Sequence, residues 1–265
     1  MNTMSVSAGD LVRSWRERRR LSQLALASEA NISQRHLSFI ESGRASPSRE
    51  MVLHLAEHLE VPLRDRNALL LTAGFAPVFR DRPLDDPALA PARAAIDLIL
   101  KAHDPYPALA VDRRWTMVSA NAAISRLLAP VDPELLKPPV NVMRVSLHPR
   151  GLAPLIVNLA QWRAHLLERL RRQGSLTRDA AIEALVTELS SYPPGKPERA
   201  ERAVAEEIAV PLRLRTRAGT LSFISTITTF GTPVEITLSE LSIEAFYPAD
   251  DATAQILRNG SPPAP

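Results

Sequence analysis

The residue pattern with the clearest potential for chemistry is a pair of histidines four positions apart. His54 and His58, with Glu57 between them, follow the order H-x-x-E-H, which is a signature of some zinc proteases. On a helix this spacing places both imidazoles on one face, where they can share a metal ion. No third ligand is evident, and the opposite face of this helix is needed for a small apolar core. We therefore interpret both histidines as solvated side chains and predict no metal site.

Other catalytic patterns are missing from the sequence. The chain of 265 residues has no cysteine, which excludes disulfides, thiolate metal sites and cysteine nucleophiles. None of its nine glycines belongs to a G-x-G pair, and no G-x-S-x-G segment occurs, so neither a phosphate-binding loop nor a serine-nucleophile turn is predicted. His103, His148 and His165 are scattered along the chain. We expect a protein that is not an enzyme and that needs no cofactor.

The excess positive charge of the chain is confined to its first part. Residues 1–80 hold 11 arginines and 8 acidic residues, a surplus of 3 that equals the net charge of +3 of the whole chain. This distribution favours a polyanionic partner, although a merely soluble basic face is an equal alternative. No apolar run is long enough to cross a membrane and no signal peptide is visible. We expect a cytoplasmic protein without a membrane partner.

Residues 9–77 are predicted to form five short helices, two of which have a specific geometry. Ser22 and Ser33 are good N-caps for the second and third helices, and Asn31 between them tolerates a left-handed backbone. The small residues Ala27 and Ala30 allow the two helices to approach closely. This arrangement predicts a helix-turn-helix within an all-α DNA-binding domain.

The interval from Ser22 to Ser48 resembles the DNA-binding domain of phage-repressor-type, or xenobiotic-response-element family, regulators. Asn31 is the one departure, because glycine is common at that position. The resemblance implies that a recognition helix at about Ser33–Ser42 enters the major groove of double-stranded operator DNA. The matching positions are Ser22-Gln23, Leu26-Ala27, Ala30, Ile32-Ser33, His36-Leu37-Ser38, Ile40-Glu41, Gly43-Arg44 and Pro47-Ser48.

The same resemblance implies roles for individual residues. Gln34 and Arg35 reach base edges from the start of the recognition helix, where glutamine suits adenine and arginine suits guanine. Phe39 reaches a thymine methyl group, and Arg16 forms a structural ion pair with Glu41. Gln23, Ser33 and Arg44 are expected at phosphate groups. The residues expected at the DNA are Gln23, Ser33, Gln34, Arg35, Ser38, Phe39 and Arg44.

A proline-rich linker at residues 78–91 is followed by a mixed domain over residues 92–257. Helical periodicity predicts helices over about 92–103, 121–128, 152–172 and 178–192. Short apolar or alternating segments predict strands over about 108–111, 115–118, 210–215, 221–230 and 239–247. The domain is therefore predicted to be α+β, with helices against one five-stranded antiparallel sheet. Residues 258–265 are expected to form a disordered tail.

Three long segments of this domain resemble the ligand-binding domain of MmyB-like transcriptional regulators. They cover residues 112–128, 147–162 and 221–257, and begin with DRRWTMVSAN, LHPRGLAPLI and LSFISTITTF. In that family the domain follows a phage-repressor-type helix-turn-helix, which is the order found here. The resemblance implies a PAS-like fold with an apolar cavity suited to a long acyl chain, such as that of a fatty acid.

Candidate ligand-binding residues are mostly apolar. Arg144 and His148 lie in an apolar stretch where a polar group needs a partner, and they are the candidates for binding a ligand carboxylate. A structural salt bridge is the favoured alternative for Arg144, and an ordinary filled core is the alternative for the apolar residues. The apolar candidates are Trp115, Met117, Met143, Leu147, Trp162, Phe223, Ile227 and Phe230.

The combination of domains favours one function and leaves a second open. The favoured function is that of a transcriptional regulator that binds operator DNA as a homodimer, with half-sites about one helical turn or a multiple apart, and senses an apolar small molecule. The alternative is a DNA-binding protein whose C-terminal domain is a structural dimerisation module without a ligand. Catalysis by the C-terminal domain is disfavoured because no catalytic motif is recognisable.

Overall fold

The computed structural model describes residues 6–195, 210–231, 233 and 235–259, and these form two compact units. One unit comprises the described residues up to 83 together with those of 231–239. The other comprises the described residues of 84–230 and those from 240 onward. The sequence gives no sign that residues 231–239 group with the first unit, because residues 92–257 have the pattern of one continuous domain.

The described chain up to residue 72 forms five consecutive helices, whereas helices and strands are mixed from residue 90 onward. No helix within the described residues is long and apolar enough to span a membrane. The helices are α1 (Ala8–Arg18), α2 (Gln23–Glu29), α3 (Gln34–Glu41), α4 (Arg49–His58), α5 (Leu63–Thr72), α6 (Ala90–Ala102), α7 (Ala122–Leu128), α8 (Val142–Leu147), α9 (Leu159–Thr177), α10 (Ala180–Ser191), α11 (Ile236–Ser239) and α12 (Asp251–Arg258). The strands are β1 (Ala108–Val111), β2 (Met117–Ala120), β3 (Leu212–Thr216), β4 (Gly219–Thr229) and β5 (Ser242–Pro248). Short 3₁₀ turns lie at Pro87–Leu89, Pro133–Leu136 and Ala153–Leu155.

Serine caps define where the helices of the first unit begin. The side chains of Ser7, Ser22, Ser33 and Ser48 each accept a hydrogen bond from the backbone N–H three residues further on. These bonds satisfy N–H groups that the start of a helix otherwise leaves without a partner. Asn31 has a φ of +51°, the left-handed conformation predicted for the turn between α2 and α3. The predicted five-helix domain with a helix-turn-helix is confirmed.

A buried ion pair joins three helices of this unit. The carboxylate of Glu41 on α3 accepts hydrogen bonds from Arg16 on α1, with Nε at 2.6 Å and Nη2 at 2.9 Å. It accepts another from Gln23 Nε2 on α2, at 2.8 Å. The ion pair implied by the sequence resemblance is therefore present. Burial by itself would raise the pKa of Glu41, but the hydrogen bonds from Arg16 and Gln23 outweigh it and hold this pKa below its ordinary value.

Close packing places α1 against the end of α3. A Cβ atom at Gly9 of α1 would lie only 2.2 Å from the carbonyl oxygen of Ile40, so no larger residue fits there without a shift. Apolar side chains from all five helices fill the space around this contact. The buried apolar residues of the first unit include Val12, Trp15, Leu26, Ala27, Ala30, Leu37, Ile40, Val52, Leu55, Leu59, Leu69 and Leu70.

The second unit is built on one antiparallel sheet with the strand order β2-β1-β5-β4-β3. All four residues of β1 are buried, because α6 covers one face of this strand and the core of the unit covers the other. The predicted α+β fold with a five-stranded antiparallel sheet is confirmed. The core is formed by side chains from the strands and from helices α7 to α10, among them Leu109, Val111, Ile124, Met143, Trp162, Leu166, Leu170, Leu185, Leu214, Phe223 and Phe246.

Two predicted elements of this unit are wrong in their extent. The helix predicted over 152–172 is interrupted, because Ile156 forms a β-bridge with Leu214 before α9 begins at Leu159. Asn158 fixes this interruption by donating to the carbonyl oxygen of Pro211 and accepting from the N–H of Arg213. The last strand, predicted over 239–247, begins only at residue 242.

The end of the described chain is also more ordered than predicted. The tail predicted from residue 258 overlaps α12, which ends at Arg258. Asp250 begins this helix by accepting a hydrogen bond from the N–H of Thr253. The remainder of the predicted tail, residues 260–265, lies outside the described residues.

The connection between β4 and β5 packs within the first unit. Ile236 donates its N–H to the carbonyl oxygen of Arg80 at 2.9 Å, and Thr237 donates its hydroxyl to the carbonyl oxygen of Arg82. The guanidinium of Arg82 lies 3.6 Å from the carboxylate of Glu235. A segment that both begins and ends in the sheet of the second unit thus contributes structure to the DNA-binding unit.

The stretch that receives this connection is itself held to α5. Asn67 Oδ1 accepts hydrogen bonds from the N–H groups of Val78 and Phe79, at 3.0 and 3.1 Å. Asn67 Nδ2 donates to the carbonyl oxygen of Phe79 at 2.7 Å. The backbone leading to Arg80 and Arg82 is therefore fixed relative to the five-helix core.

We predict that Glu41→Gln lowers the free energy of unfolding of the first unit by about 3–5 kcal/mol, because it leaves the largely buried guanidinium of Arg16 without its paired carboxylate. Glu29→Gln, at an exposed position on α2, is the matched control and is expected to change it by less than about 0.5 kcal/mol. Urea unfolding of the full chain, followed by circular dichroism at neutral pH, measures both values.

The pH dependence of this difference follows from the lowered pKa of Glu41. Its contribution is fully present above its ordinary pKa of 4.5 and is lost as the pH falls through the lower value of the folded state. The difference in the free energy of unfolding between the wild type and Glu41→Gln should therefore shrink as the pH falls from 4.5 through the folded-state pKa of Glu41. A gap of constant size down to the point of acid unfolding would contradict the assignment.

Candidate DNA-binding and ligand-binding sites

Helix α3 presents a polar first turn and an apolar inner face. Gln34, Arg35 and His36 are exposed, whereas Leu37 and Ile40 are buried in the core of the five-helix unit. This division fixes the rotation of α3 and directs its first turn outward. A first turn of this kind, on the second helix of a helix-turn-helix, is the part that reaches base edges in the major groove.

An aromatic ring with two nearby arginines extends this surface. The guanidinium carbons of Arg35 and Arg44 lie 5.3 and 6.0 Å from the centroid of the Phe39 ring. The backbone N–H groups of Arg44 and Ala45 both donate to the carbonyl oxygen of Phe39, which holds the chain in place after α3. The structure thus brings together three of the predicted DNA-contacting residues on one basic surface.

The other predicted DNA contacts are partly engaged within the protein. Ser33 Oγ accepts a hydrogen bond from the N–H of His36 at 3.1 Å, and Gln23 donates to Glu41. Ser38 is half-buried in the middle of α3. The hydroxyl hydrogen of Ser33 and the second N–H of the Gln23 amide are not used by these bonds, and these donors are left to contact a phosphate.

The histidine pair on α4 has a structural explanation. His54 Nε2 lies 2.7 Å from the carbonyl oxygen of Ala30, so this nitrogen carries the hydrogen and donates it. The rings of His54 and His58 meet edge to face, with centroids 4.6 Å apart. Both histidines are half-buried, not solvated as predicted, and His54 contributes to helix packing at the turn after α2.

An apolar cavity of about 70 Å³ lies in the core of the second unit. Its walls come from β1 to β3, from β5, and from helices α7 to α9. Ser146 and Glu244 are the polar side chains of this lining. The lining residues are Leu109, Met117, Ile124, Leu127, Leu128, Val140, Val142, Met143, Val145, Ser146, Leu152, Trp162, Leu166, Leu212, Leu214, Glu244 and Phe246.

Some predicted apolar lining residues reach this cavity. Met117, Met143 and Trp162 line it, and the indole Nε1 of Trp162 donates a hydrogen bond to Ser146 Oγ at 3.0 Å. This bond satisfies a polar group that burial would otherwise leave without a partner. The cavity therefore has a tryptophan in its wall whose orientation is fixed.

The remaining predicted apolar residues lie elsewhere in the second unit. Trp115, Leu147 and Phe223 are buried in the core but are not part of the cavity lining. Ile227, in the outer half of β4, is 38% exposed, and Phe230 follows that strand in a half-buried position. For these five residues the ordinary core or surface role fits the structure better than contact with a ligand.

The two polar candidates, Arg144 and His148, do not line the cavity either. Arg144 forms a two-point ion pair with Glu188, at 2.6 and 2.7 Å, and this pair is partly exposed. Tyr192 donates its hydroxyl to the same carboxylate at 2.5 Å, and its ring meets the ring of His148 edge to face. The structural salt bridge considered for Arg144 is therefore what the structure contains.

The polar groups of this cluster affect each other's ionisation. The hydrogen bond from Arg144 lowers the pKa of Glu188. Burial and the hydrogen bond to Glu188 together raise the pKa of Tyr192 to about 12. The cluster is thus a network of a cation, an anion and a neutral phenol at neutral pH, and its charges are already compensated without a ligand.

Glu244 is a residue of the cavity that sequence reasoning missed. It lies on β5 and is 5% exposed, and its Oε1 is 3.2 Å from Arg169 Nη1 on α9. Burial raises the pKa of Glu244, and Arg169 opposes this effect. Strand alternation could have predicted this position, because residues two apart in a strand lie on the same face. Glu244 therefore shares a face of β5 with the apolar residue Phe246.

A helix-turn-helix unit with exposed side chains on its recognition helix, joined to a unit with an apolar cavity, defines a ligand-binding transcription regulator. Profiles of known families agree with this class. Residues 7–69 match a helix-turn-helix domain, and residues 92–259 match the MmyB-like transcription regulator ligand binding domain. The second match covers more than half of the chain, so the protein belongs to the MmyB-like transcription regulators. The search of curated proteins gives no match.

We predict that Arg35→Ala weakens binding to the preferred DNA sequence by about 1–3 kcal/mol and relaxes the preference at one base pair. The preferred sequence is first selected from random DNA with the purified full chain, and fluorescence anisotropy then gives the affinities. Arg172→Ala, at an exposed arginine of the second unit, is the control and should bind as the wild type does.

Arg44→Ala is expected to differ from Arg35→Ala in kind. A phosphate contact is lost equally from every sequence, so affinity should fall on all DNA and the slope of log K against log salt should decrease by about 1. An Arg44→Ala variant with altered base preference and an unchanged salt slope would contradict a phosphate contact.

Proposed function

We propose that the protein binds a two-half-site operator as a homodimer and that occupation of its cavity by an apolar small molecule changes its affinity for that operator. One observation carries the regulatory part. The connection between β4 and β5 is continuous with a strand of the cavity wall and packs within the DNA-binding unit. Binding, rather than catalysis, is the activity that both matched families support.

The geometry of α3 supports the proposed DNA-binding mode. The first turn of this helix, with Gln34 and Arg35, enters the major groove, and the surface of Phe39 and Arg44 lies near the backbone. Two copies related by a two-fold axis would read half-sites about one helical turn, or a multiple of it, apart.

The size of the cavity supports a change of state on ligand binding. Pockets that hold drug-sized ligands have volumes of about 300–1,000 Å³, whereas this cavity has about 70 Å³. An acyl chain of more than a few carbons therefore requires the cavity walls to separate. A ligand shifts an equilibrium only if it binds two states differently, and a wall that must open supplies such a difference.

The route to the DNA-binding unit is covalent. Glu244 and Phe246 of β5 line the cavity, and β5 begins three residues after α11 ends. A displacement of β5 therefore acts on the contacts that Glu235, Ile236 and Thr237 make near Arg80 and Arg82. The stretch that receives them is held to α5 by Asn67, so a shift there is passed on to the five-helix core.

The ligand class that fits the lining is a molecule with a hydrocarbon chain. The lining is apolar apart from Ser146 and Glu244, which suits the chain of a fatty acid, a fatty alcohol or an ester equally. The competing function is a structural dimerisation module, for which the cavity would be a packing defect without a ligand.

The test is a titration of the full chain with its selected operator. We expect affinity that decreases steeply with salt, two chains per operator by analytical ultracentrifugation, and a saturable change of affinity when 1-octanol is added as an apolar probe. One chain per operator would contradict the homodimer. Operator affinity that is unaffected by 1-octanol, together with an empty organic extract of the denatured protein, would favour the structural module.

We predict that Glu235→Ala reduces the effect of 1-octanol on operator affinity, because it removes the carboxylate that Arg82 faces. Operator affinity without 1-octanol should stay within about threefold of the wild type, since Glu235 lies outside the DNA-reading surface. Glu134→Ala, which removes an exposed ion pair with Lys137 in the second unit, is the matched control. A full response to 1-octanol in Glu235→Ala would show that the coupling does not use this contact.

A further inference from the structure

The cavity lining contains the buried residue Glu244, whose surroundings differ from those of Glu41, a buried carboxylate of the first unit. Glu41 in the first unit is saturated by two N–H groups of Arg16 and one of Gln23, at 2.6 to 2.9 Å. Glu244 receives a single contact from Arg169, at 3.2 Å, and a hydrogen bond from Ser225. A carboxylate has about four acceptor positions. Glu244 therefore keeps the capacity to accept a further hydrogen bond.

The cation beside Glu244 is held in place from its other side. The guanidinium of Arg169 lies 5.1 Å from the centroid of the Trp115 ring. The Trp115 indole is fixed in turn by a hydrogen bond of 2.8 Å to Gln173 Oε1. Arg169 also contributes no atom to the cavity lining, whereas Glu244 does. The polar group that a ligand meets is thus the carboxylate and not the guanidinium.

The charge balance at this end of the cavity distinguishes between ligands. Arg169, at 3.2 Å, favours the ionised form of Glu244, and in that form the two residues together carry no net charge. A ligand carboxylate placed here would add a second anion in an apolar enclosure, where like charges repel most strongly. A ligand hydroxyl adds no charge and donates a charge-assisted hydrogen bond to the carboxylate.

We propose that the cavity prefers an uncharged apolar molecule with a hydroxyl group, which donates a hydrogen bond to Glu244, over a fatty acid of the same chain length. This inference rests on the proposed ligand-sensing function and names the ligand class. The sequence suggested that Arg144 and His148 bind a carboxylate of the ligand, but both lie outside the cavity lining. In the present proposal a hydroxyl group of the ligand binds the carboxylate of Glu244 instead.

The experiment compares two probes of equal chain length, 1-octanol and octanoate, on the full chain at neutral pH. Binding is followed by tryptophan fluorescence, since Trp162 lines the cavity, and by isothermal titration calorimetry. We expect the wild type to bind 1-octanol about tenfold or more tightly than octanoate, the factor for one charge-assisted hydrogen bond gained and one repulsion avoided.

The variant Glu244→Gln should reverse this preference. It removes the anion and leaves Arg169 as an uncompensated cation, so octanoate should gain affinity, while the glutamine carbonyl still accepts from 1-octanol. Glu188→Gln is the matched control, because Glu188 also pairs with an arginine but lies outside the cavity lining. It should leave the ratio of the two affinities unchanged. Circular dichroism establishes that each variant is folded.

The outcomes separate this inference from the proposed function. Octanoate binding as tightly as 1-octanol in the wild type would overturn the inference and leave ligand sensing intact, and this measurement needs no variant. A gain of octanoate affinity in Glu188→Gln and not in Glu244→Gln would overturn the inference, because it would show that Arg144 binds the ligand carboxylate. If neither probe binds, the ligand-sensing proposal fails and the inference fails with it.

Discussion

A buried carboxylate must be paired, and Glu41 in the first unit and Glu244 in the second meet that constraint to different degrees. In the first unit the pair is complete, because Arg16 and Gln23 saturate Glu41 and so join α1, α2 and α3. The orientation of the recognition helix depends on that junction. In the second unit the pair of Arg169 and Glu244 is incomplete and faces a cavity. The first arrangement gives rigidity, and the second leaves a hydrogen-bonding group available for a ligand.

One segment is assigned by the sequence pattern to the second unit and by the structure to the first. The described residues of 231–239 lie between β4 and β5 in the chain and contribute α11 to the DNA-binding unit. The same β5 carries Glu244 and Phe246 in the cavity wall. In the proposed mechanism a ligand too large for the cavity of about 70 Å³ displaces this wall, and the backbone carries the displacement to the contacts near Arg80 and Arg82.

The parts of the fold that local chemistry determines could be predicted from the sequence. Ser22 and Ser33 start their helices by capping, and Asn31 adopts its left-handed turn, because each needs only its neighbours in the chain. The interruption at Asn158, the late start of β5 and the position of Glu244 depend on parts of the chain far away in sequence, so periodicity alone missed them. Arg144 shows the same limit, because its partner Glu188 lies 44 residues further along the chain.

The central claim is that the cavity and the operator-binding surface share one equilibrium, and thermodynamic linkage tests it directly. The measurement is the dissociation constant of 1-octanol for the full chain, determined by calorimetry once without DNA and once with saturating operator. If the ligand changes operator affinity by a given factor, the operator must change ligand affinity by the same factor. We expect two different constants whose ratio matches the ratio of operator affinities with and without 1-octanol. Equal constants would contradict it, because a ligand that binds both states equally cannot regulate the DNA-binding unit.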